Sequence, residues 1–324
     1  MNNFISKPIA IIGAGSIGER YIRLLNNLGF NNIVVYRRSN KIFKDIGSAN
    51  VKVVHSFEGL FAESIYCAII ATPTHLHLEQ AILLAEKGIH LLVEKPLSHT
   101  LDGIEELKKI VEKNNIFIHI GYMMRFHPLI LELKAIISDQ EYGKLISVQS
   151  KWAEFLPDWH PWEDYRLSYA SNKKMGGGVA LTLSHDIDLA IYLAAGQLNM
   201  FSTYKNYCSS LEIDVESSAD IILKFDNNII ANIHLNFFEK INERYTKLCF
   251  ENATIVFNYL ENKLTIRNKE VEKVRTIDSF ERDNLFRDQL IYFFSMLSYN
   301  DNYYNYSIEN LNTSSSIIKI CNND

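Results

Sequence analysis

The chain has 324 residues, 47% hydrophobic and 22% charged, with a formal net charge of −5. Such values belong to globular proteins and leave room for two domains, while the acidic balance argues against a nucleic-acid or polyanion-binding surface. No apolar run is long enough for a bilayer span, and Met1 to Pro8 lacks the form of a signal peptide, so a cytoplasmic protein is expected. Cys67, Cys208, Cys249 and Cys321 are scattered, with no Cys-x-x-Cys pair and no histidine at a zinc spacing; thiols are expected to be reduced and no metal is expected.

Taken in chain order, the apolar run Ile9-Ala10-Ile11-Ile12 passes directly into Gly13-Ala14-Gly15-Ser16-Ile17-Gly18. Ile17, Tyr21, Leu24, Leu25 and Leu28 then recur at helical spacing, and Gly29 stands at the C-cap position. Strand, glycine turn and helix in that order predict a dinucleotide site. Gly13 permits the tight turn, Gly15 lets backbone amides approach a pyrophosphate, and Gly18 lets helix and strand pack closely. Ala14, Ser16 and Ile17 complete the turn, with the pyrophosphate on the positive end of the helix.

Strands are predicted at 32–36, 51–54, 66–71, 89–93 and 116–121, with helices at 76–87 and 101–113 between the later ones. This alternation indicates a doubly wound parallel sheet of the Rossmann type over residues 1–121. Beyond it the pattern changes. A helix at 128–138 leads to a strand at 145–152, a Trp- and Pro-rich loop at 155–165, and a helix from the glycine triplet 176–178 to about 195. Strands follow at 220–225, 229–237, 245–251, 254–259, 263–267 and 271–276, then helices at 283–299 and 307–320. In 229–237, Ala231, Ile233, Leu235 and Phe237 alternate with Asn232, His234 and Asn236, giving one apolar and one wetter face. Residues 122–324 therefore form an expected α+β domain with a large, mostly antiparallel open sheet, its C-terminal helix free to pack back on the first domain.

Candidate chemistry lies at the strand ends. An Asp or Glu closing the second strand would hold a ribose hydroxyl; here the sequence is Tyr36-Arg37-Arg38-Ser39. Two guanidiniums and a hydroxyl suit a 2′-phosphate, so NADP is expected ahead of NAD. After the strand at 66–71 come Thr72, Pro73 and His75, which with Glu94 and Lys95 after the next strand form the expected cofactor-side set. His77 reads as a surface residue at a helix start. Lys95 at a cleft could orient a hydroxyl and stabilise an alkoxide, although a bare Glu-Lys-Pro triplet also suits a surface turn. His185 follows the glycine triplet, and Asp188, one turn on, could orient its imidazole so that it takes a proton as an alcohol loses hydride. Trp159, His160, Tyr165 and Arg166 offer aromatic faces and donors to a sugar, or equally build a Trp-anchored structural loop.

The ordered set resembles one family. Gly-x-Gly-x-x-Gly, Ala-Thr-Pro-Thr-His (71–75), Glu-Lys-Pro (94–96), Gly-Tyr-Met-Met-Arg-Phe-His-Pro (121–128) and Gly-Gly-Gly…His-x-x-Asp are similar to the glucose–fructose oxidoreductase, inositol dehydrogenase and rhizopine-catabolism (Gfo/Idh/MocA) family over nearly the whole chain. The resemblance implies an NAD(P)-dependent oxidoreductase interconverting a secondary hydroxyl and a ketone on sugars, polyols or nucleotide-linked sugars, with a cleft between the domains. It implies Lys95 for substrate orientation, His185 for acid–base work, Arg125 among the substrate contacts, and a homodimer or homotetramer joined through the second sheet. One departure stands out: the family's usual Asp shortly before the histidine is Thr182 here, which joins Lys95, His185 and Asp188 in the expected catalytic set, with Asp186 or Asp188 as substitute carboxylates. The 154–166 stretch looks like relatives from bacterial surface-polysaccharide pathways, which points to an acetamido or nucleotide-linked sugar. Two alternatives remain: an epimerase or redox-assisted glycosidase with tightly bound cofactor, and a non-catalytic dinucleotide-binding regulator.

Overall fold

A computed structural model describes residues 5–159, 161–207, 210–299 and 303–323. The first part of the chain builds β1 (Ile9–Ile12), α1 (Ser16–Asn27), β2 (Ile33–Tyr36), β3 (Val51–Val54), α2 (Phe57–Phe61), β4 (Cys67–Ile70), α3 (His77–Ala85), β5 (His90–Val93), α4 (Ile104–Asn114) and β6 (Ile118–Ile120). The strands form one parallel sheet in the order β3-β2-β1-β4-β5-β6. All residues of β1, β2 and β4 are buried, as continuous apolar strands covered on both faces must be. The order reverses between β1 and β4, the position at which open α/β sheets bind ligands beyond the strand ends.

The second part builds α5 (Pro128–Asp139), β7 (Leu145–Phe155), α6 (Val179–Thr182), α7 (His185–Ala194), β8 (Leu198–Asn206), β9 (Ser218–Phe225), β10 (Ile230–Asn236), β11 (Phe238–Phe250), β12 (Thr254–Asn258), β13 (Lys263–Arg267) and β14 (Glu272–Thr276); α8 (Arg282–Tyr299) and α9 (Tyr304–Asn322) end the chain. Its eight strands run β14-β13-β12-β11-β7-β10-β9-β8. Among the described residues, the β7–β10 pair is the one parallel pairing of these strands.

Several local expectations change. β8 has no alternating apolar signature and was not expected; it is an edge strand with Met200 and Tyr204 exposed. α2 is a single short turned segment capped by Ser56, whose hydroxyl accepts from the Gly59 amide. The helix expected to run unbroken from the glycine triplet to 195 breaks between α6 and α7. β7 continues to Phe155 into the expected loop. β11 begins at Phe238, with irregular register between Phe238 and Glu243. On β10, Asn236 sits on the expected wet face yet is 0% exposed. Its amide donates to His234 and Glu239, and its oxygen accepts from the Phe238 and Glu239 amides, so burial leaves no unmet polar group.

The chain divides into two compact units, residues 1–123 with 281–315 and residues 124–280 with 316–324. The sequence suggests a single boundary at 121/122, whereas α8 belongs with the first unit. Arg20 and Arg23 donate to Asp283 at 2.8 Å each, Gln289 donates to the Tyr21 hydroxyl at 2.9 Å, and Phe294 stacks on Phe30 at 4.4 Å. Within α9, Ser307 takes the Ile118 amide and gives its hydroxyl to the Ile116 carbonyl, both at 3.1 Å. These pairings join residues far apart in sequence, so no local pattern announces them. Among the described residues no helix is long and apolar enough to cross a membrane.

Candidate functional site

At the switch point, the three glycines are glycine for different reasons. A side chain at Gly13, whose φ is +93°, would meet Thr72 Cγ2 at 2.8 Å and the Ala71 carbonyl at 3.0 Å. At Gly18 it would lie 2.1 Å from the Gly13 carbonyl oxygen. At Gly15 it would meet nothing within 4 Å. Packing alone therefore explains Gly13 and Gly18, and open space lies over Gly15. That space faces the start of α1, which has no side-chain cap at Gly15 and makes its first backbone bond from the Glu19 amide to the Gly15 carbonyl. An uncapped helix N-terminus with an open cradle fits a dinucleotide's pyrophosphate. Ala14 and Ile17 are half-buried beside it, and Ser16 is exposed.

At the end of β2, Arg37 is half-buried with its guanidinium 4.1 Å above the Phe43 ring; Arg38 and Ser39 are exposed. The Arg37 amide donates to the Val54 carbonyl, and the His55 ring nitrogen contacts the Arg37 carbonyl at 2.8 Å. The loop that follows is tied to α1 by Glu19, a residue the sequence did not single out. Its buried carboxylate accepts from the Lys44 amide at 3.0 Å and the Asp45 amide at 2.8 Å. A glutamate on the first turn of a helix reads as dipole compensation, which hides this second use.

The ends of β4 and β5 are held by α3. His77, expected on the surface, is 2% exposed, with Nδ1 2.8 Å from the Pro96 carbonyl and Nε2 2.6 Å from the Thr72 carbonyl. Its polarity suits a helix start, but its position between two strand-end segments buries it. The Thr72 hydroxyl donates to Gln80 at 2.7 Å. Pro73 precedes a single 3-10 turn in which His75 is half-buried. Glu94 accepts from the Tyr21 hydroxyl at 2.7 Å and from the Lys95 amide at 3.3 Å. Burial raises the Glu94 carboxyl above its ordinary range, against the pull of Tyr21 and Lys95, and it likewise raises the Tyr21 phenol. Lys95 is half-buried next to this pair.

In the second unit His185 opens α7 and is 4% exposed, with the Trp152 ring 6.3 Å away at 29°. Thr182 ends α6 and is also buried. Asp188, expected to orient the His185 imidazole, turns instead to Arg125, which donates from Nε at 2.9 Å and Nη2 at 2.6 Å. Arg125, expected among the substrate contacts, is bonded to α7 through this pair. The reason is burial: Asp188 is 0% exposed, which raises its carboxyl, and a guanidinium fork is the partner that offsets this. Asp186 accepts from Ser150 at 2.6 Å and Arg244 at 2.7 Å. The glycine triplet approaches its own chain: a side chain at Gly177 would meet the Tyr169, Ala170 and Asn172 carbonyls at 2.4 to 2.8 Å, and one at Gly178 would meet Glu216 at 2.5 Å.

Of the expected sugar-facing residues, Trp159 packs edge-on against Phe237 at 5.4 Å and Tyr165 accepts from the Glu212 amide at 3.2 Å. Arg166 is ion-paired with Asp164 at 2.8 Å and Glu212 at 3.2 Å, which holds its guanidinium charged. His160 lies outside the described residues.

Residues 7–122 match the oxidoreductase family with an NAD-binding Rossmann fold, and residues 130–256 match the Gfo/Idh/MocA C-terminal domain. A levoglucosan dehydrogenase of Pseudarthrobacter phenanthrenivorans is 34% identical over 131 residues, which are 40% of this chain and 33% of that protein, so the chain spans about a third of its length. The structure of a levoglucosan dehydrogenase in complex with NADH and levoglucosan shares the fold, with a TM-score of 0.82, 17% identity and coverage of 97% of this chain and 95% of the other. A UDP-N-acetylglucosamine 3-dehydrogenase from Acidithiobacillus ferrooxidans shares it with a TM-score of 0.76, 16% identity and coverage of 97% and 96%. With both domain profiles matched in order along it, the chain belongs to the Gfo/Idh/MocA family.

Proposed function

We propose that the chain is an NAD(P)-dependent oxidoreductase that interconverts a secondary hydroxyl and a ketone on a sugar, polyol or nucleotide-linked sugar. The observation that carries this reading is the glycine turn, where Gly15 alone opens on empty space while its two companions are explained by packing. A nicotinamide dinucleotide bound there supplies the hydride acceptor or donor. Lys95 orients the reacting hydroxyl, and its ammonium stabilises the developing alkoxide. His185 takes or returns the hydroxyl proton. Thr182 can hydrogen-bond but carries no charge. Asp186 accepts from Arg244 and Asp188 from Arg125, so a carboxylate standing in for the usual Asp would act while held by an arginine.

NADP is the proposed cofactor, with NAD as runner-up: no carboxylate ends β2, and Arg37, braced on Phe43, stands with Arg38 and Ser39 where a 2′-phosphate would lie. An anhydrosugar or nucleotide-linked sugar is the proposed substrate class, supported by the relatives' names and by the aromatic stretch around Trp159. With a nucleotide-linked sugar as substrate, a place in surface-polysaccharide sugar synthesis is proposed as well. A homo-oligomer is also proposed, supported by exposed Met200, Tyr204, Ile222 and Ile230 on β8, β9 and β10.

The test is separate titration of NADPH and NADH into the purified protein, followed by nicotinamide fluorescence, with Arg37→Asp alongside. NADPH binding that the variant weakens about tenfold or more supports the reading, since a charge-assisted contact is worth roughly 1.5–3 kcal/mol. Preference for NADH overturns the NADP assignment. Binding of neither overturns the oxidoreductase reading itself. Turnover is then assayed with levoglucosan and UDP-N-acetylglucosamine.

A further inference from the structure

The parallel ladder that joins β1, β4 and β5 ends with the Ala71 amide on the Ile12 carbonyl and the Glu94 amide on the Ile70 carbonyl. Beyond those bonds the chain must be held by side chains. The first turn of α3 does this. His77 faces the Thr72 carbonyl with one ring nitrogen and the Pro96 carbonyl with the other, and Gln80, three residues on, takes the Thr72 hydroxyl. Residues three apart on a helix share a face, so one helical turn grips both segments. Thr72 in turn sets its methyl group in the space that a side chain at Gly13 would need. The glycine turn, the Thr72–Pro73 segment and the Lys95–Pro96 segment are thus joined through one buried imidazole and its helical neighbour.

We propose that His77 is a positioning residue, which fixes Thr72–Pro73 and Lys95–Pro96 to each other through their backbone carbonyls and so sets the pocket for the nicotinamide half of the cofactor. The proposal rests on the reading that these two segments flank the nicotinamide. A buried carbonyl needs a donor, and satisfying one carbonyl would be ordinary packing. Here a single ring stands within hydrogen-bond distance of two, from segments that carry different expected functions, so its N–H can be given to either. A neutral imidazole has one N–H and serves one carbonyl at a time; only the charged form serves both. Burial makes the ring less basic, the two carbonyls pull the other way, and Lys95 and His75 add to the burial effect. No aromatic or aliphatic residue of the same volume can replace either contact.

The experiment separates nicotinamide from the rest of the cofactor. NADPH and 2′-phospho-ADP-ribose, which lacks the nicotinamide ring, are titrated by calorimetry into the wild type, His77→Phe and His77→Gln. The expected result is that His77→Phe binds NADPH about tenfold more weakly, the worth of one to two hydrogen bonds, and binds 2′-phospho-ADP-ribose like the wild type. His77→Gln, which keeps a donor, recovers part of the loss. Equal weakening of both ligands, or no weakening of either, overturns the proposal, because general destabilisation does not choose between the two halves. If His77→Phe does not fold, His77→Gln against the wild type carries the same comparison. A wild type that binds neither NADPH nor NADH fails the oxidoreductase reading first, before any substitution is compared.

Discussion

Arg244 stands over Trp152, its guanidinium carbon 3.5 Å from the ring centroid, and donates from Nη2 to Asp186 at 2.7 Å. The Tyr259 ring centroid is 4.3 Å from the same carbon, and Tyr259 shares its hydroxyl with Thr246 at 2.9 Å. Asp186 adjoins His185 in sequence, and Trp152 packs on the His185 ring, so one arginine braces the proposed proton carrier by two routes. Arg244→Met takes the guanidinium away from the fully buried Asp186, which still accepts from Ser150, and is expected to cost about 3–5 kcal/mol, as for a broken buried pair. Arg244→Lys keeps the charge but loses the planar stack, with an expected cost of about 1 kcal/mol. Urea unfolding of the two variants checks the order; equal costs would show that the charge alone contributes nothing and that the guanidinium's fork and ring contacts carry the whole effect.

The Arg125–Asp188 pair makes a second expectation specific. Burial raises the Asp188 carboxyl while Arg125 lowers it, so removing the charge relieves a penalty as well as a bond. Asp188→Asn keeps one acceptor and is expected to cost about 1–2 kcal/mol. Arg125→Met leaves a buried carboxylate alone and is expected to cost more, about 3 kcal/mol. If Arg125→Met proves harmless to stability and instead abolishes sugar binding, the residue belongs to the substrate after all.

Two histidines make stability depend on pH. His90 accepts the Phe117 amide at Nδ1, and His127 accepts the Leu129 amide at the start of α5. Burial pushes both down to about 4, with Lys7 adding to the effect on His90, while Asn262 partly offsets it for His127. The unfolded value is about 6.5. Between 6.5 and 4 the unfolded chain binds protons that the folded chain refuses. Their stabilisation is therefore complete above about 6.5 and is lost as pH falls towards 4, by up to about 3 kcal/mol each. Urea unfolding at steps from pH 8 to pH 4 measures this slope. His127→Asn, which keeps an acceptor at the helix start, is expected to flatten it; an unchanged slope removes His127 from the account.

Much of this was readable in sequence because local physics dictated it. The apolar runs of β1 and β4 and the Gly13-to-Gly18 turn carry their own signal, and the parallel sheet follows from their alternation with helices. Much of what was not readable depends on partners that no local pattern names, many of them distant in the chain. Asp283 reaches Arg20 and Arg23 across about 260 residues. Asp188 looks like a partner for His185 because they are one turn apart, yet Arg125 claims it from 63 residues away. His77 shows the same limit, since a polar residue at a helix start gives no hint that two strand ends close over it. The glycine triplet was legible as close approach, but whether to ligand or to self depended on Glu216 and the 169–172 carbonyls.

Glycine substitutions separate these two uses of close approach. Gly15 has φ −80°, which alanine adopts freely, and nothing within 4 Å of the added carbon. Gly15→Ala is therefore expected to leave unfolding within about 0.5 kcal/mol of the wild type while weakening NADPH binding about tenfold or more, because the methyl group enters the space proposed for the pyrophosphate. Gly178→Ala is the converse. Its φ is +108°, and the new carbon would lie 2.5 Å from the Glu216 carboxylate that accepts the Ala180 amide at 3.1 Å. It is expected to cost about 2–4 kcal/mol in stability through strain and the displaced cap, with dinucleotide affinity preserved in whatever fraction remains folded. Paired unfolding and NADPH titration on both variants decide the matter. A Gly15→Ala protein that binds NADPH as the wild type does would move the pyrophosphate off this turn, and with it the observation on which the proposed function stands.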